Sequence, residues 1–394
     1  MDSNDAYIPL SVPNLKGNEL KYVGECIKSE WISSAGSFVT RFENELASYV
    51  KAKYSTAVCN GTAALHLALL ITGIKPGDEV FVPTLTFIAP VNTIKYVGAT
   101  PIFIDCDDHL NISPFALSKF IDENCIYKKS CLINRKTGGK ISAIIPVHIF
   151  GNAVDMEPIM DLAEMYGLKI IEDATESLGT YYTKGRYAAR KTGTIGHIGC
   201  YSFNGNKIIT TGGGGMLVSD NQEYVEKARY LSTQAKDDAL HYVHHNIGYN
   251  YRMTNIQAAL GCAQLEKIDE YIKIKRNNFA IYKKELAGIS GLSFINEPEY
   301  CFSNFWFYSL MIEKEKFGID KDNLISCLKN ERIESRPIWH LNHMQKPYKN
   351  DPRGIILKAK KFFERVINIP CSANLRREDI SRVIKSIKEV HTNG

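Results

Sequence analysis

Several patterns are missing from this 394-residue chain. No two of its ten cysteines stand as a C-x-x-C pair. That argues against a zinc ribbon or a disulfide framework and makes a reducing compartment the simpler expectation. The longest apolar run, around 63–71, is interrupted by His66 and is too short to span a bilayer. No block of like charges occurs, which counts against a nucleic-acid arm or a polybasic membrane patch. The opening MDSNDAYIPL has neither the basic nor the apolar segment of a secretory leader. A cytoplasmic protein with no nucleic-acid or membrane partner is expected.

What is present is ordinary for a folded protein: 44% hydrophobic and 23% charged residues. The net charge of +5 is mild and compatible with an anionic small substrate. The length allows more than one structural unit.

From about residue 54 to 220, short β-rich runs alternate with helical patterns. Strands are expected at 55–59, 79–82, 101–105, 141–147, 169–172, 199–203 and 215–218. Helices are expected at 62–71, 87–97 and 156–166. This alternation predicts an α/β fold with a mainly parallel sheet covered on both faces. A long helix is expected over 256–286, with Ile256, Leu260, Ala263, Leu265 and Ile268 on its buried face. The last hundred or so residues read as a smaller α+β domain. The expected division is 1–287, with an N-terminal arm, a large domain and a bridging helix, and 288–394.

Three elements of the first unit suggest chemistry. Asp173, in IIEDATES, falls where a buried strand ends, the edge at which open α/β sheets bind ligands. Alone, it could equally cap a turn. Lys207, in YSFNGNKIITTGGGGML, follows another expected strand and sits among small polar residues. Alone, it would more often be a surface charge, but the flanking glycines let backbone approach a ligand closely. The third element is VCNGTAALHLAL, in which a strand runs through Asn60-Gly61 into a helix. A helix N-terminus suits a phosphate, although Thr62 could be a plain cap.

One cofactor joins the three. Pyridoxal 5′-phosphate needs a lysine for a Schiff base, a carboxylate facing the pyridine nitrogen and a phosphate cup. Lys207 would supply the first and Asp173 the second. Gly61, Thr62 and Ser202 would supply the third. Phe87, in PTLTFIAP, would lie on the ring face, with core packing as its alternative.

These segments, with GYNYRMTNIQAALGCAQLEKID, occur in an order and spacing that resembles the DegT/DnrJ/EryC1/StrS nucleotide-sugar aminotransferases. The resemblance covers nearly the whole chain. It implies a fold type I PLP-dependent transferase with catalytic Lys207 and Asp173, and a homodimer with shared active sites. By position, Glu176 matches a polar residue beside the cofactor, and Asn250 a residue reaching the phosphate from the neighbouring subunit. SEWISSAG matches a stretch that contacts the nucleotide sugar, which points to Trp31, Ile32 and Ser33; Trp31 could equally be core. Tyr201, Arg336, Trp339 and His340 complete the candidate substrate contacts. NGNKIITT looks most like the subgroup aminating C4 of a UDP-linked 2-acetamido-2,6-dideoxy-4-ketohexose. Relatives acting on GDP-4-keto-6-deoxymannose usually carry a YGNK-like form.

The implied reaction moves an amino group from glutamate, leaving 2-oxoglutarate, to the ketosugar. Lys207 counts against a related dehydratase branch that carries histidine there. Rival readings are the same chemistry on another 4-keto or 3-keto nucleotide sugar, and a PLP-fold sensor or scaffold. No metal site is expected, from either His340 and His343 or the group His241, His244 and His245. Two departures from the family pattern, the longer loop at 186–194 and His197, are expected to lie near the site.

Overall fold

The computed structural model describes residues 6–393; residues 1–5 and 394, which the expected domain ranges include, lie outside the described residues. In chain order the strands of residues 6–220 are β1 (Tyr54–Val58), β2 (Glu79–Pro83), β3 (Thr100–Ile104), β4 (Cys125–Lys128), β5 (Cys131–Asn134), β6 (Lys140–Ile144), β7 (Lys169–Asp173), β8 (Tyr181–Tyr182), β9 (Ile198–Ser202) and β10 (Gly215–Ser219). Of these ten, all but β4, β5 and β8 fall at expected positions. Among the described residues all of these except β8 form one sheet, ordered β1-β10-β9-β7-β6-β2-β3, with β5 beside β6 and β4 beside β5.

The pairs from β9 through β7, β6 and β2 to β3 are parallel, as expected for strands buried on both faces. The flank beyond β9 is antiparallel, as are the β5–β6 and β4–β5 pairs, so the sheet is mixed. β10 runs against β9 and β1, because the link from β9 to β10 holds no crossover helix. That link carries Lys207. The β4–β5 hairpin lies in a polar stretch with no alternating pattern and is absent from the expected elements.

The remaining strands are β11 (Leu292–Phe294), β12 (Cys301–Phe302), β13 (Tyr308–Ile312), β14 (Arg336–Pro337) and β15 (Val366–Ile369). A smaller antiparallel sheet runs β11-β13-β15-β14, and β12 pairs with β8. The N-terminal arm reaches this part of the molecule: the Ile8 N–H donates to Arg332 O, and the Cys371 N–H to Leu10 O. One continuous hydrophobic cluster includes Val58, Ile171 and Leu217 of the large sheet and Tyr308, Leu310 and Ile367 of the small one.

The long helix expected over 256–286 is two helices, Asn255–Leu265 and Ile268–Glu285. No glycine or proline marks the break at Glu266–Lys267, so it leaves no breaker signal. Among the described residues no helix is long and apolar enough to cross a membrane.

A buried ion cluster ties the helix Ser37–Val50 to β1. Glu43 Oε1 accepts from the Ala57 N–H at 2.7 Å and from Arg252 Nη1 at 2.5 Å, and Oε2 accepts from Arg229 Nη2 at 3.1 Å. Removing one partner of such a cluster strands the other charge. Glu43→Ala is therefore expected to cost about 3–5 kcal/mol of stability, read as a lower urea midpoint. A loss under about 1 kcal/mol would show that water replaces the carboxylate without penalty.

Candidate active site

The parallel strands deliver their chemistry-bearing residues to one sheet edge, the carboxyl ends of β7 and β9. Asp173 closes β7. Its N–H donates to Pro146 O at 2.9 Å, its C=O accepts from the His148 N–H at 3.1 Å, and its side chain is buried. Asp173 Oδ1 accepts from the Thr175 N–H at 3.1 Å. Burial raises the carboxyl above its ordinary range, opposed by Thr175, the Lys207 charge and His148.

Lys207 lies in the turn after β9, its N–H donating to Asn204 O at 3.0 Å. Its Nζ stands 3.9 Å from the centre of the Trp306 ring. Burial lowers its pKa, while Glu176 and then Asp173 push it back up. The amine and both carboxylates therefore share one electrostatic site.

Glu176 is buried, and its Oε2 accepts from the Phe150 N–H at 2.7 Å. Burial raises its pKa from the ordinary 4.5 to about 7, against the lowering by Lys207. Between pH 4.5 and 7 an unfolded chain releases this proton and the folded chain keeps it, so stability falls as pH rises through that window. Glu176→Gln should leave stability near pH 4.5 little changed. At pH 7 it should raise stability by up to about 3 kcal/mol. Urea unfolding of the coenzyme-free protein at both values checks this; an equal change at the two pH values would contradict it.

The third element assembles beside them. Asn60, rather than Thr62, is the N-cap of the helix Gly61–Ile71, its Oδ1 accepting from the Ala63 N–H at 2.7 Å. The Thr62 hydroxyl is thereby left out of the cap. A Cβ on Gly61 would lie 2.8 Å from Ser202 Cβ, so glycine alone lets the helix start approach the end of β9 this closely. The glycine run serves the same packing. A Cβ on Gly215 would meet the Asn60 backbone at 2.5 Å, so this glycine admits the chain's own backbone rather than a ligand.

An aromatic wall faces the group. Phe87 is 50% exposed and meets Trp339 edge-on at 5.3 Å; Trp339 lies 5.7 Å from Phe150. Trp306, Phe150 and His148 are absent from the sequence-based candidates. The motif FSNFWF around Trp306 carries a signal, two polar residues set in an aromatic run.

Other candidates fall elsewhere. Tyr201 is fully buried: the alternation along β9 turns it away from Ser202, and its hydroxyl donates to Thr192 O. It is a core residue, not a substrate contact. Arg336 donates twice to Glu334 Oε1, and the His340 ring packs edge-on to Phe363 at 5.0 Å. Trp31 and Ile32 are exposed, and the backbone around them is anchored by Asn255, which bonds the carbonyls of Trp31 and Ser33. Asn250 is exposed and bridges Thr233. The described contacts join none of these to Lys207.

His197 lies away from the site, whereas the loop at 186–194 ends beside it, the Thr192 hydroxyl 2.8 Å from Ser177 Oγ. His197 Nδ1 accepts from the Ile170 N–H at 3.0 Å, toward the opposite end of β7 from Asp173. The loop is anchored through Arg186 to Asp161 and through the Gly193 N–H to Glu172. Burial pushes Glu172 up, but hydrogen bonds from His148, Gly196 and Gly193 outweigh it and hold the carboxyl below its ordinary range. His241 and His245 pair with Asp238 and Asp237, and no group of three or more metal-ligating side chains occurs among the described residues.

Comparison with known proteins gives the same picture. The model of the DegT/DnrJ/EryC1/StrS aminotransferase family matches residues 13–388. EpsN of Bacillus subtilis (strain 168) is 40% identical over 96% of this chain and 94% of its own. The GDP-perosamine synthase of Vibrio cholerae is 38% identical, over 97% and 98%. A crystal structure of a DegT DnrJ EryC1 StrS aminotransferase from Brucella abortus, 27% identical, superposes over 95% of each chain with a TM-score of 0.85. This chain belongs to the DegT/DnrJ/EryC1/StrS family of PLP-dependent sugar aminotransferases.

Proposed function

We propose that the chain moves the amino group of glutamate to C4 of a UDP-linked 2-acetamido-2,6-dideoxy-4-ketohexose. The observation that carries the chemistry is the Lys207 amine, desolvated between Asp173, Glu176 and the Trp306 ring. The choice of sugar rests on NGNKIITT. A second reading, the same transfer to a GDP-linked ketosugar, is favoured by GDP-perosamine synthases at 38% and 39% identity.

The residues fit pyridoxal phosphate. The donor set combines a free amine, a buried carboxylate and helix N-terminal N–H groups that lack intrahelical partners. Thr86 Oγ1 is buried without a hydrogen-bond partner, and glycine at 61 leaves the helix start without a side chain. Gly61, Thr62 and Ser202 would hold the phosphate, Phe87 and Glu176 would lie against the ring, and Asp173 would face its nitrogen. When bound, the coenzyme supplies the electron sink that makes the donor's Cα–H acidic.

The chain's own work is proton transfer. Lys207 Nζ takes the proton from the donor's Cα, which needs a free lone pair. Burial provides one by disfavouring the ammonium form. In the second half-reaction the same nitrogen delivers a proton at the acceptor carbon. Asp173 keeps a negative charge beside the ring, and the aromatic wall limits water.

Asn250 would act from a second subunit of a homodimer. Leu240, Tyr242 and Ile247, each more than 70% exposed on the segment before it, support that reading. Sedimentation as a monomer would remove it. We place the division of the chain near 287/288, which limited proteolysis checks, and the protein in the cytoplasm, which cell fractionation checks. The function is tested by incubation with glutamate and a panel of UDP-, GDP- and dTDP-linked ketosugars, with mass spectrometry of the products. Amination of the GDP sugar alone would replace the first reading with the second.

A further inference from the structure

We infer that Trp306 is a positioning residue for Lys207: its ring face caps the amine, and its indole N–H pins the peptide that carries it. The inference rests on the reading of Lys207 as the reactive amine. Besides the 3.9 Å approach of Nζ to the ring, Trp306 Nε1 donates to Asn206 O at 2.7 Å. Ser11 Oγ of the N-terminal arm donates to the same oxygen at 3.3 Å. The carbonyl immediately before Lys207 is thus held from two distant parts of the chain.

Ordinary core packing would explain the burial of Trp306 and its stacking on Phe307 at 4.0 Å. It would not explain the segment that presents the ring. Ser303 and Asn304 are fully buried polar residues. Asn304 Nδ2 donates to Glu176 O and Leu178 O, and its Oδ1 accepts from the Trp306 N–H at 2.8 Å. Phe305 between them sits at φ +47°, a conformation that bulky residues avoid unless their surroundings impose it. One asparagine therefore fixes both the loop bearing Glu176 and the backbone of Trp306.

The physical effect has two parts. A ring face favours a cation and so opposes the desolvation that depresses the Lys207 amine. The charged groups facing that amine are Asp173 at the end of β7 and Glu176 just after it. The pinned carbonyl restricts the swing of the lysine between the donor and the acceptor carbons.

The test compares wild-type holoenzyme with Trp306→Phe and Trp306→Leu, reading kcat, KM for glutamate, and the pH midpoint of the lysine-bound coenzyme absorbance. In the Leu variant the midpoint should fall by about one unit, because the favoured cation loses its ring. Its kcat should fall about 30-fold or more, with KM within about threefold. The Phe variant keeps a ring face but loses the N–H donor. It should hold the midpoint within about 0.3 unit while kcat falls about tenfold. An unmoved midpoint in the Leu variant overturns the inference whatever its activity. If that variant does not fold, unchanged kcat in the Phe variant overturns it. Wild-type protein without lysine-bound absorbance would bring down the reading of Lys207 itself, and this inference with it, so the two failures are distinguishable.

Discussion

Lys207→Arg is expected to turn over at less than about one-thousandth of the wild-type rate, with the fold unchanged. The substitution keeps a positive charge and most of the side chain's length. It removes the two properties the proposed role needs. A guanidinium does not lose its proton in proteins, so it cannot take one from a donor carbon. Nor is it an amine that can bond the coenzyme's aldehyde. Folding should survive, because the backbone hydrogen bond from Lys207 to Asn204 does not involve the side chain, which is only half-buried. Steady-state assay with glutamate and the best ketosugar measures the loss, and a thermal melt checks the fold. A variant retaining more than about a tenth of wild-type kcat would show that another group moves the proton.

Asp173→Asn should be the next most damaging change, lowering kcat about 10²- to 10⁴-fold. The amide has the carboxylate's shape and can still accept from the Thr175 N–H. What it lacks is charge. A neutral partner no longer favours the protonated ring, and the electron sink weakens. Stability should move the other way or not at all, since Asp173 is a buried charge held above its ordinary pKa at a desolvation cost. Loss of rate without loss of stability separates a functional carboxylate from a turn cap, the alternative left open by the sequence. Single-turnover rates with glutamate measure the effect; a rate within tenfold of wild type would return Asp173 to the role of a cap.

The reasons for what was and was not legible lie in particular residues. IIED reads as a buried parallel strand because its apolar side chains admit no exposed face, and β7 carries it; β6 ends at Ile144, the first residue of IIPV. A carboxylate at the end of such a strand has few reasons to be there, so Asp173 stood out. Gly61 stood out because a strand-to-helix turn with no side chain is the simplest phosphate seat. Tyr201 was misplaced through one step of the pleat: it neighbours Ser202 in the chain and faces the other way. His197 precedes Lys207 closely in sequence, yet β9 lies between and carries the chain from one end of the sheet to the other. Trp306 could not be foreseen as a partner of Lys207, since no local pattern says which distant segment will close over a strand end.

By itself the sequence determined the fold class and the coenzyme, because strand periodicity, helix-start chemistry and charge in an apolar setting are local properties. Tertiary structure alone decided the antiparallel pairs of the sheet, the arm that crosses to the small sheet, and the aromatic and asparagine scaffold around the amine. Those depend on which non-adjacent surfaces meet, a matter of packing between segments far apart in the chain.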